Sequence, residues 1–547
     1  MYLRLILAIV CILPFGVTAD GGRRSQLDTL LSSPSRYGFS SHAWPTGTQA
    51  QILALQARVE GLSNCQFACS LLSIFAPGAV TASSSPSYQP LVYWSAQQAE
   101  LTPTCRIDVA SATDISTTIK VSKLARCPFA VKSGGHAAFA GGSSIQDGIL
   151  VNLAKLNQVV LSPDQKTASV GPGLTWYDVY TKLDPLNVSV VGGREAGVGV
   201  GGLTLGGGIS YFSGRYGWAC DNVNNYEVVL ADGSIVNASP TRYSDLYWAL
   251  RGGSGTNFGI VSRFDLAAFP QGLLWGGSRY YSILTNASLA ETYSRFIIAA
   301  PQDDYAHLYI AFAYAAALGG FFGITGPVYG KAVADAPIFS ELESIPSILD
   351  ATGFMNMTDL AVALNQTTFS RYPYLENFLK HQQANVSLLD RFKTVTFKND
   401  PALIKQIIGY FIEEATSVLH IPGIAPAFAF QPLSLNIIAK MKKNGGNVLG
   451  LSGADGPLTI MNLNWGWSSA SDDAEVFSAI NRFVSRSRAL GKSLKLNNDF
   501  IYMNYASLDQ DVFSGYGAAS KARLEGIKTK YDPQNVFGKL QPGYFKL

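Results

Sequence analysis

Three clusters of glycine within one stretch of about 130 residues constrain this chain more than any other feature of its sequence. They occupy 130–144, 191–208 and 251–261, and the first contains His136, one of only five histidines among 547 residues. Bare peptide N–H groups can close on phosphate oxygens, and glycine tolerates the positive φ that such concave loops need. Each cluster alone is more typical of a tight turn between buried strands. Together they predict one long polyanionic ligand enclosed by several loops.

The strand and helix patterns predict an α+β chain with two regions. A chain of 547 residues exceeds a single compact core. From residue 106 to 269, short β-like runs alternate with the glycine clusters, and Asp232-Gly233 is the predicted turn of a hairpin over 228–236. From 273 to 496, longer helical patterns are separated by strands. Helices are expected near 50–61, 115–126, 175–183, 244–251, 289–298, 401–419 and 474–490.

Charge and hydropathy predict neither a membrane span nor a nucleic-acid surface. The uncharged segment 308–324 is divided by Gly319-Gly320, which favours a buried β-hairpin over a transmembrane helix. The net charge is +3 and no basic block is present. No two histidines fall within one helical turn and no CxxC motif exists, so no metal site is predicted.

The N-terminus has the pattern of a secretory signal peptide. Arg4 precedes an apolar run over 5–13, and small residues at 17–19 form the expected cleavage site. Six glycosylation sequons agree with secretion; they are at Asn187, Asn237, Asn286, Asn356, Asn365 and Asn385. An oxidising compartment would allow two disulfides among four early cysteines and leave Cys220 as a buried thiol. The four are Cys65, Cys69, Cys105 and Cys127, and the sequence does not choose among their three connectivities.

One nucleotide motif is present without its expected context. Gly197-x-Gly199-x-x-Gly202 matches the dinucleotide fingerprint, and a strand precedes it. Residues 203–208 are too rich in glycine to open the helix whose N-terminus would hold a pyrophosphate. The Rossmann interpretation is therefore rejected. The sequence contains no P-loop and no Gly-x-Ser-x-Gly elbow.

Five separate motifs occur in the order found in one known enzyme family. They are KSGGH at 132–136, VGVGGLTLGGG at 198–208, ADGSIVNAS at 231–239, DLYWALRGGSGTNFGIV at 245–261 and YDPQNVF at 531–537. In these motifs the chain resembles the secreted, FAD-linked oxidoreductases of the berberine-bridge-enzyme-like group, within the vanillyl-alcohol-oxidase superfamily. The resemblance is closest to fungal members and runs from about residue 60 to the C-terminus.

The resemblance implies a two-part PCMH-type FAD-binding domain and an α+β substrate domain in which helices cover an antiparallel sheet. The expected segments are a signal peptide at 1–19, an N-terminal extension at 20–59, the FAD-binding domain at 60–272, the substrate domain at 273–498 and a C-terminal segment at 499–547 that returns to the FAD domain.

The resemblance also gives His136 a role. In that family the histidine after the glycine pair is bonded to the 8α-methyl of the flavin, which raises the flavin potential and favours substrate oxidation. The rest of this loop would lie against the pyrophosphate; it comprises Ser133, Gly134, Gly135 and Ala137. Many members carry a cysteine as a second anchor, three residues before the first valine of VGVGG. Glu195 occupies that position here, so we expect FAD attached once, through His136.

Further cofactor-binding residues follow from the same resemblance. Gly201, Gly202, Thr204, Gly206, Gly207 and Gly208 are expected to pass the pyrophosphate and the ring by backbone contact. Ile260 and Val261 resemble the strand that flanks the adenine. Val198 matches the position where a small side chain leaves O₂ access to the flavin, which favours an oxidase.

The segment YMNYA resembles the family's Tyr-x-Asn-Tyr motif. Tyr502 and Asn504 are expected to alternate on a strand and to face flavin and substrate together, whereas Tyr505 is assigned to sheet packing. A tyrosine with a pKa near 10 accepts a substrate proton only where nearby charge lowers that pKa. Many relatives use a glutamate base in the substrate domain. The corresponding region here offers Asp455 and no glutamate, so the base stays open.

The sequence therefore predicts a secreted, monomeric FAD-linked oxidase. A small organic substrate, of the secondary-metabolite kind, would give hydride to the flavin, and O₂ would be the acceptor. Three alternatives stay open: a carbohydrate oxidase of the same family, a flavin-bearing binding protein with little turnover, and an NAD(P)-dependent dehydrogenase.

Overall fold

The computed structural model describes residues 19–40, 44–316, 319–365 and 389–547. Helices and three β-sheets are mixed along these residues, which confirms the predicted α+β class. Residues 1–18 of the predicted signal peptide and the sequon at Asn385 lie outside the described residues. Within the described ranges, every helix is too short or too polar to cross a lipid bilayer.

The helices are distributed along the whole chain, and several match the predicted periodic segments. They are α1 (Ala19–Ser32), α2 (Thr48–Gln56), α3 (Asn64–Phe75), α4 (Ala96–Ala99), α5 (Ala112–Ala125), α6 (Trp176–Leu183), α7 (Val200–Leu205), α8 (Ser213–Tyr216), α9 (Ser244–Leu250), α10 (Asn286–Ala299), α11 (Ser340–Glu343), α12 (Met357–Asn365), α13 (Pro401–Thr416), α14 (Leu435–Lys440), α15 (Asp473–Ser493), α16 (Val512–Gly515), α17 (Ala518–Tyr531) and α18 (Val536–Leu540). The predicted helices correspond to α2, α5, α6, α9, α10, α13 and α15. Four further helices of nine residues or more were not predicted: α1, α3, α12 and α17.

The first sheet is small and mixed. Its strands are β1 (Val80–Ala82), β2 (Cys105–Asp108), β3 (Phe129–Lys132) and β4 (Ile149–Asn152), in the order β1-β2-β4-β3. β2, β4 and β3 pair in parallel, and every residue of β4 is buried, as expected for a strand covered on both faces. Phe537 of α18 packs edge-on against Phe129, so the C-terminal segment returns to this sheet.

The second sheet has six strands. They are β5 (Val159–Leu161), β6 (Thr167–Val170), β7 (Val188–Val190), β8 (Val223–Val229), β9 (Ile235–Ala238) and β10 (Ile260–Pro270), and β10 is central because it pairs with β6, β7 and β8. β8 and β9 form an antiparallel hairpin whose turn contains Asp232 and Gly233, the latter with a φ of +85°. This confirms the hairpin predicted from the Asp-Gly pair.

The third sheet is antiparallel throughout and carries helices on one face. Its strands are β11 (Leu274–Ser282), β12 (Ala306–Ala315), β13 (Gly320–Tyr329), β14 (Leu349–Met355), β15 (Leu389–Lys398), β16 (Ala425–Leu433), β17 (Leu458–Trp467) and β18 (Asn497–Asn498), in the order β14-β11-β13-β12-β16-β17-β15-β18. β12 and β13 are the arms of the predicted hairpin over 308–324. Residues of α10, α13 and α15 form the core on the helix-covered face. The opposite face of the third sheet is not covered by these helices and lines a cavity.

Two disulfides connect α3 to β2 and to the segment between α5 and β3. Cys65 pairs with Cys127, and Cys69 pairs with Cys105. Both α3 cysteines lie one turn apart and therefore on one face of the helix. The sequence identified the four partners and left their connectivity open. Cys220 is the free cysteine of the described residues and is fully buried, as expected.

This connectivity predicts a specific chemical map. Non-reducing peptide mass analysis should recover the Cys65–Cys127 and Cys69–Cys105 peptides, with Cys220 unpaired. Iodoacetamide should label Cys220 only after unfolding, because burial raises the pKa of its thiol and blocks access. Replacing both Cys65 and Cys127 with serine should lower the free energy of unfolding by about 4 kcal/mol, since the bridge closes a long loop. A Cys65–Cys69 peptide, or labelling of the native thiol, would contradict this arrangement.

Candidate functional site

One cavity of about 580 Å³ brings the glycine clusters together with the third sheet. Its wall contains residues from all three glycine clusters, from the uncovered face of the third sheet and from the C-terminal segment. This volume is in the range of small-molecule and cofactor sites. The cavity therefore joins the regions that the sequence analysis had connected to a single ligand.

The first glycine cluster forms a loop that holds His136 at the cavity wall. The buried side chain of Gln98 anchors this loop, because its Nε2 donates to the carbonyl of Gly135 at 3.2 Å. The φ of Gly135 is +76°, a conformation that favours glycine. The His136 ring stacks on Trp94 with 4.8 Å between ring centroids, and its Nε2 lies 3.5 Å from Glu195 Oε1. The imidazole consequently has a fixed orientation at the cavity wall.

The first two clusters meet backbone to backbone. A Cβ atom on Gly134 would lie 2.5 Å from the backbone nitrogen of Gly199, a separation that no side chain tolerates. Ser133 Oγ donates to the carbonyl of Pro172 at 2.5 Å and accepts from the Gly201 N–H at 3.3 Å. Close packing of the two loops therefore requires glycine at both positions, and it fixes one end of the cavity.

A short helix, α7, forms within the second cluster and includes 203–205, so the expectation that residues 203–208 are too rich in glycine to open a helix is wrong for that part. Buried Val200 and Thr204 anchor α7, which includes Gly201 and Gly202, and the run Gly206–Gly208 follows its end, where Gly207 and Gly208 adopt φ values of +123° and +90°. These glycines terminate the helix rather than prevent it. The Rossmann interpretation is still excluded, because the preceding strand, β7, pairs antiparallel with β10 and opens no parallel β-α-β unit.

Most of the predicted site residues line the cavity. They are Ser133, Gly134, Gly135, His136, Ala137, Val198, Gly201, Gly202, Ile260, Val261, Tyr502 and Asn504. Four others lie one layer behind the wall: Thr204, Gly206, Gly207 and Gly208. Thr204 is fully buried, and a Cβ atom on Gly207 would lie 2.7 Å from the Trp218 ring. These four support the wall by packing against protein.

Tyr502 and Asn504 do not lie on a strand as expected: Tyr502 precedes a 3-10 turn and Asn504 lies within it. The turn spans Met503–Tyr505 and begins directly after Tyr502. Tyr502 Oη nevertheless lies 2.9 Å from Asn504 Nδ2, because the turn brings the two side chains to the same side. The same oxygen accepts from the N–H groups of Gly208 at 3.1 Å and Ile209 at 3.3 Å. The Tyr-x-Asn pair thus fastens the C-terminal segment to the second glycine cluster.

Tyr505 also lines the cavity, so its assignment to sheet packing is wrong. Its hydroxyl accepts from Arg194 Nη2 at 2.9 Å, and Arg194 Nη1 donates to Gln431 Oε1 at 2.7 Å. Burial raises the pKa of Tyr505, and the adjacent Arg194 charge opposes that rise. Burial also raises the pKa of Tyr502, which hydrogen bonds from Asn504, Ile209 and Gly208 oppose. A tyrosine accepts a substrate proton only where a nearby charge lowers its pKa, and the charge of Arg194 is beside Tyr505.

Glu195 is the one carboxylate among the described residues of the cavity wall. Asp455, the acidic residue considered from the sequence, lies elsewhere and caps a turn, where its Oδ2 accepts from the Ser452 N–H at 3.2 Å. Glu195 was singled out only because it replaces a cysteine. Glu195 also follows Arg194 directly inside a glycine cluster. A pair of opposite charges at such a position indicates a functional site, although a search for single motifs does not detect it.

Several wall residues have no sequence motif at all. They come from the third sheet and from the C-terminal segment: Tyr309, Gln431, Asn462 and Gln541. These residues are separated by long stretches of sequence, and only the fold brings them together.

The surface of the cavity fits a flavin dinucleotide. A Cβ atom on Gly202 would meet no heavy atom within 4 Å, so the bare backbone opens directly onto the cavity. Gln541 Oε1 is buried with no hydrogen-bond partner among the described residues and offers an acceptor to a ligand. Open backbone at one end and an unused amide oxygen at the wall are features that an elongated polar cofactor would use.

Four buried tyrosines predict loss of stability at alkaline pH. Burial raises the pKa of Tyr180, Tyr226, Tyr502 and Tyr516. Above a pH of about 10, unfolded phenols ionise while the folded ones keep their protons, so rising pH favours the unfolded state. The urea midpoint should fall steeply above about pH 10 and stay level below it. Full phenolate absorbance at pH 11 with native circular dichroism would contradict this prediction.

Two sequence profiles match the chain. The profile described as "FAD binding domain" matches residues 103–239, which include the first two glycine clusters and His136. The profile described as "Berberine and berberine like" matches residues 501–542, which include Tyr502, Asn504 and Tyr505. Both profiles thus include residues that line the same cavity.

Similar proteins extend this match over nearly the whole chain. The FAD-dependent monooxygenase tpcD of Cochliobolus heterostrophus is 37% identical over 530 residues, which are 92% of this chain and 98% of that protein. Xylooligosaccharide oxidase from Myceliophthora thermophila C1, solved with xylobiose, has a TM-score of 0.69 at 21% identity and covers 86% of this chain and 97% of its own. Glucooligosaccharide oxidase from Acremonium strictum, described with a 6-S-cysteinyl, 8α-N1-histidyl FAD, has a TM-score of 0.66 at 20% identity and covers 82% and 93%. The two solved structures establish similarity of fold.

Proposed function

Because this chain belongs to the berberine-bridge-enzyme-like family of FAD-dependent oxidoreductases, we propose that it is a secreted oxidase whose FAD is attached through His136. The chemistry that bound FAD supplies is acceptance of a hydride from a substrate C–H bond and reoxidation by O₂, which gives H₂O₂. The substrate is a small organic molecule held against the third sheet. The observation that carries the proposal is the position of His136, which is stacked on Trp94 at the cavity wall between two glycine loops.

The residues that would hold FAD lie at the glycine end of the cavity. The backbone of the Ser133–Ala137 loop and of Gly201 and Gly202 would contact the pyrophosphate, and Ile260 and Val261 would flank the adenine. Thr204, Gly206, Gly207 and Gly208 would support this surface from behind. Within the proposal, residues 60–272 form the FAD domain and residues 273–498 form the substrate domain. Residues 499–547 form a C-terminal segment that returns to the FAD domain.

Single attachment is supported by Glu195. The relative from Acremonium strictum is described with both a cysteinyl and a histidyl bond to FAD. Glu195 occupies the place of the cysteine in the family's pattern, and a carboxylate does not form that bond. A tryptic peptide containing His136 should therefore carry the mass of one FAD, and no other peptide should carry flavin.

Within the proposal, Glu195 accepts the proton that the substrate loses with its hydride. Among the described residues of the cavity wall, Glu195 is the one that carries a carboxylate. Tyr502 is less suited, because burial raises its pKa and its oxygen already accepts three N–H groups. Tyr502 and Asn504 would instead orient the substrate and the flavin.

The test begins with the purified, secreted protein. We expect a yellow protein of monomeric size whose N-terminus starts near Asp20, after removal of the signal peptide. Its colour should stay in the pellet after acid precipitation. Candidate metabolites should bleach the flavin absorbance without oxygen, and air should restore it with formation of H₂O₂. A colourless protein, or one whose activity requires added NAD(P)H, would overturn the proposal.

Monooxygenation is a second candidate function. It is favoured by the name of the relative from Cochliobolus heterostrophus, an FAD-dependent monooxygenase that is 37% identical. Turnover under ¹⁸O₂ distinguishes the two functions. A monooxygenase would place one ¹⁸O atom in the product, whereas an oxidase would place both in hydrogen peroxide.

A further inference from the structure

The uncovered face of the third sheet has a flat floor of alanine side chains. In the strand register, Ala311 is opposite Ala429 and Ala313 is opposite Ala427, on the neighbouring strands β12 and β16. All four line the cavity, since residues two apart on a strand share a face. Larger apolar side chains flank this floor on β13, where Ile324 and Phe322 pair with Ala311 and Ala313. Methyl groups on two adjacent strands form a surface on which a planar ring can lie with contact over its whole face.

Amide side chains border the same floor on its other side. Asn462 and Asn464 of β17 pair with Ala429 and Ala427, and both line the cavity. Asn462 Oδ1 is buried and has no hydrogen-bond partner among the described residues. A ligand with a hydroxyl group at this edge would satisfy that oxygen.

Arg194 supplies a positive charge at the end of the floor. Its guanidinium donates to two neutral groups, Gln431 Oε1 at 2.7 Å and Tyr505 Oη at 2.9 Å, and lies 5.6 Å from the centroid of the Tyr309 ring. All four side chains line the cavity. Burial of a guanidinium costs free energy that neutral partners compensate only in part. An anionic oxygen on the ligand would provide the remaining compensation.

We propose that this end of the cavity, called here the alanine floor (Ala311, Ala313, Ala427 and Ala429), binds a planar aromatic substrate whose ionised oxygen pairs with Arg194. The ionised oxygen is a phenolate or a carboxylate, and a hydroxyl group donates to Asn462 Oδ1. This inference rests on the proposed function, in which FAD fills the glycine end. A neutral, puckered sugar ring would offer Arg194 no anionic oxygen and would contact the floor at fewer points.

The experiment uses the flavin-loaded protein and two matched probes, 6-hydroxy-2-naphthoate and 6-hydroxy-2-naphthamide, with binding measured by calorimetry. The two probes have the same rings and hydroxyl group and differ in charge. We expect the naphthoate to bind at least about tenfold more tightly, as for a charge-assisted hydrogen bond in a partly buried site. Equal affinities of the wild-type protein for the two probes, or tighter binding of the naphthamide, would by themselves overturn the inference. Cellobiose, as a neutral sugar, should bind more weakly than either probe.

Variants of the protein then show which residues cause the preference for the naphthoate over the naphthamide. Arg194→Gln should abolish the difference between the probes by weakening the naphthoate about tenfold, and Arg194→Lys should retain part of it. Ala429→Leu should weaken both probes equally, because it raises the floor without changing charge. Ala522→Leu, on an exposed position of α17, is the control and should change neither. A preference that survives in Arg194→Gln would overturn the assignment.

Failure of this inference can be told from failure of the proposed function. Each titration starts from protein whose visible flavin absorbance has been recorded. A colourless protein contradicts the proposed function, whatever the probes do. A yellow protein that does not discriminate between the naphthoate and the naphthamide contradicts only the inference about the substrate.

Discussion

Replacing His136 with alanine is expected to leave a folded protein whose flavin is released by acid precipitation. His136 is the imidazole at the cavity wall, and its ring is fixed by stacking on Trp94 and by the proximity of Nε2 to Glu195. Glu195 occupies the place of the family's second anchor, so no other covalent bond to the cofactor is expected. The acid pellet of His136→Ala should be colourless and its supernatant yellow. Any substrate oxidation that remains should be slower by at least about tenfold, since the covalent bond raises the flavin potential.

His420→Ala is the matched control for this prediction. His420 also lies near a carboxylate, with Nε2 3.4 Å from Glu475 Oε1, but its side chain is 65% exposed and does not line the cavity. Its acid pellet should stay yellow. If the pellet of His136→Ala kept the wild-type amount of flavin, the attachment would be at another residue, and the peptide that carries the FAD mass would identify it.

The local elements were predictable wherever turn chemistry and side-chain periodicity agree. The Asp232-Gly233 hairpin and the hairpin around Gly319-Gly320 follow from glycine between two apolar arms. Helix α3 was missed, although Ser63 and Gln66 form a capping box at its start. The helical part of the second cluster was missed because propensity alone opposes it, whereas tertiary packing of Val200 and Thr204 supports it.

The candidate site was predictable at the glycine clusters and at the Tyr-x-Asn pair that contacts them. There, His136 and the glycines of the second cluster form motifs that are contiguous in sequence. On the substrate side, Ala311 and Ala429 meet only through strand pairing, and an isolated alanine carries no sequence signal. Tyr505 was assigned to packing because its partner, Arg194, lies 311 positions away in sequence. Sequence motifs therefore identified the cofactor, and only the fold identified the surface that would select the substrate.

Replacing Gly202 with leucine is expected to prevent flavin binding while the protein still folds. A Cβ atom at Gly202 would meet no heavy atom within 4 Å, and the residue faces the cavity from α7, so the new side chain would occupy the space that the pyrophosphate needs. The molar ratio of flavin to protein should fall at least about tenfold, because the added carbons remove the close backbone approach that glycine allows.

Gly526→Leu is the control, because Gly526 lies in α17 and a Cβ atom there also meets no heavy atom within 4 Å, away from the cavity. It should bind flavin like the wild type. Folding of both variants is read from circular dichroism and from a single peak in size-exclusion chromatography, since loss of a bound ligand lowers the melting temperature even when the fold is intact. A folded Gly202→Leu protein that carried one flavin per chain would mean that the pyrophosphate does not pass over α7, and the cofactor would then lie elsewhere in the cavity.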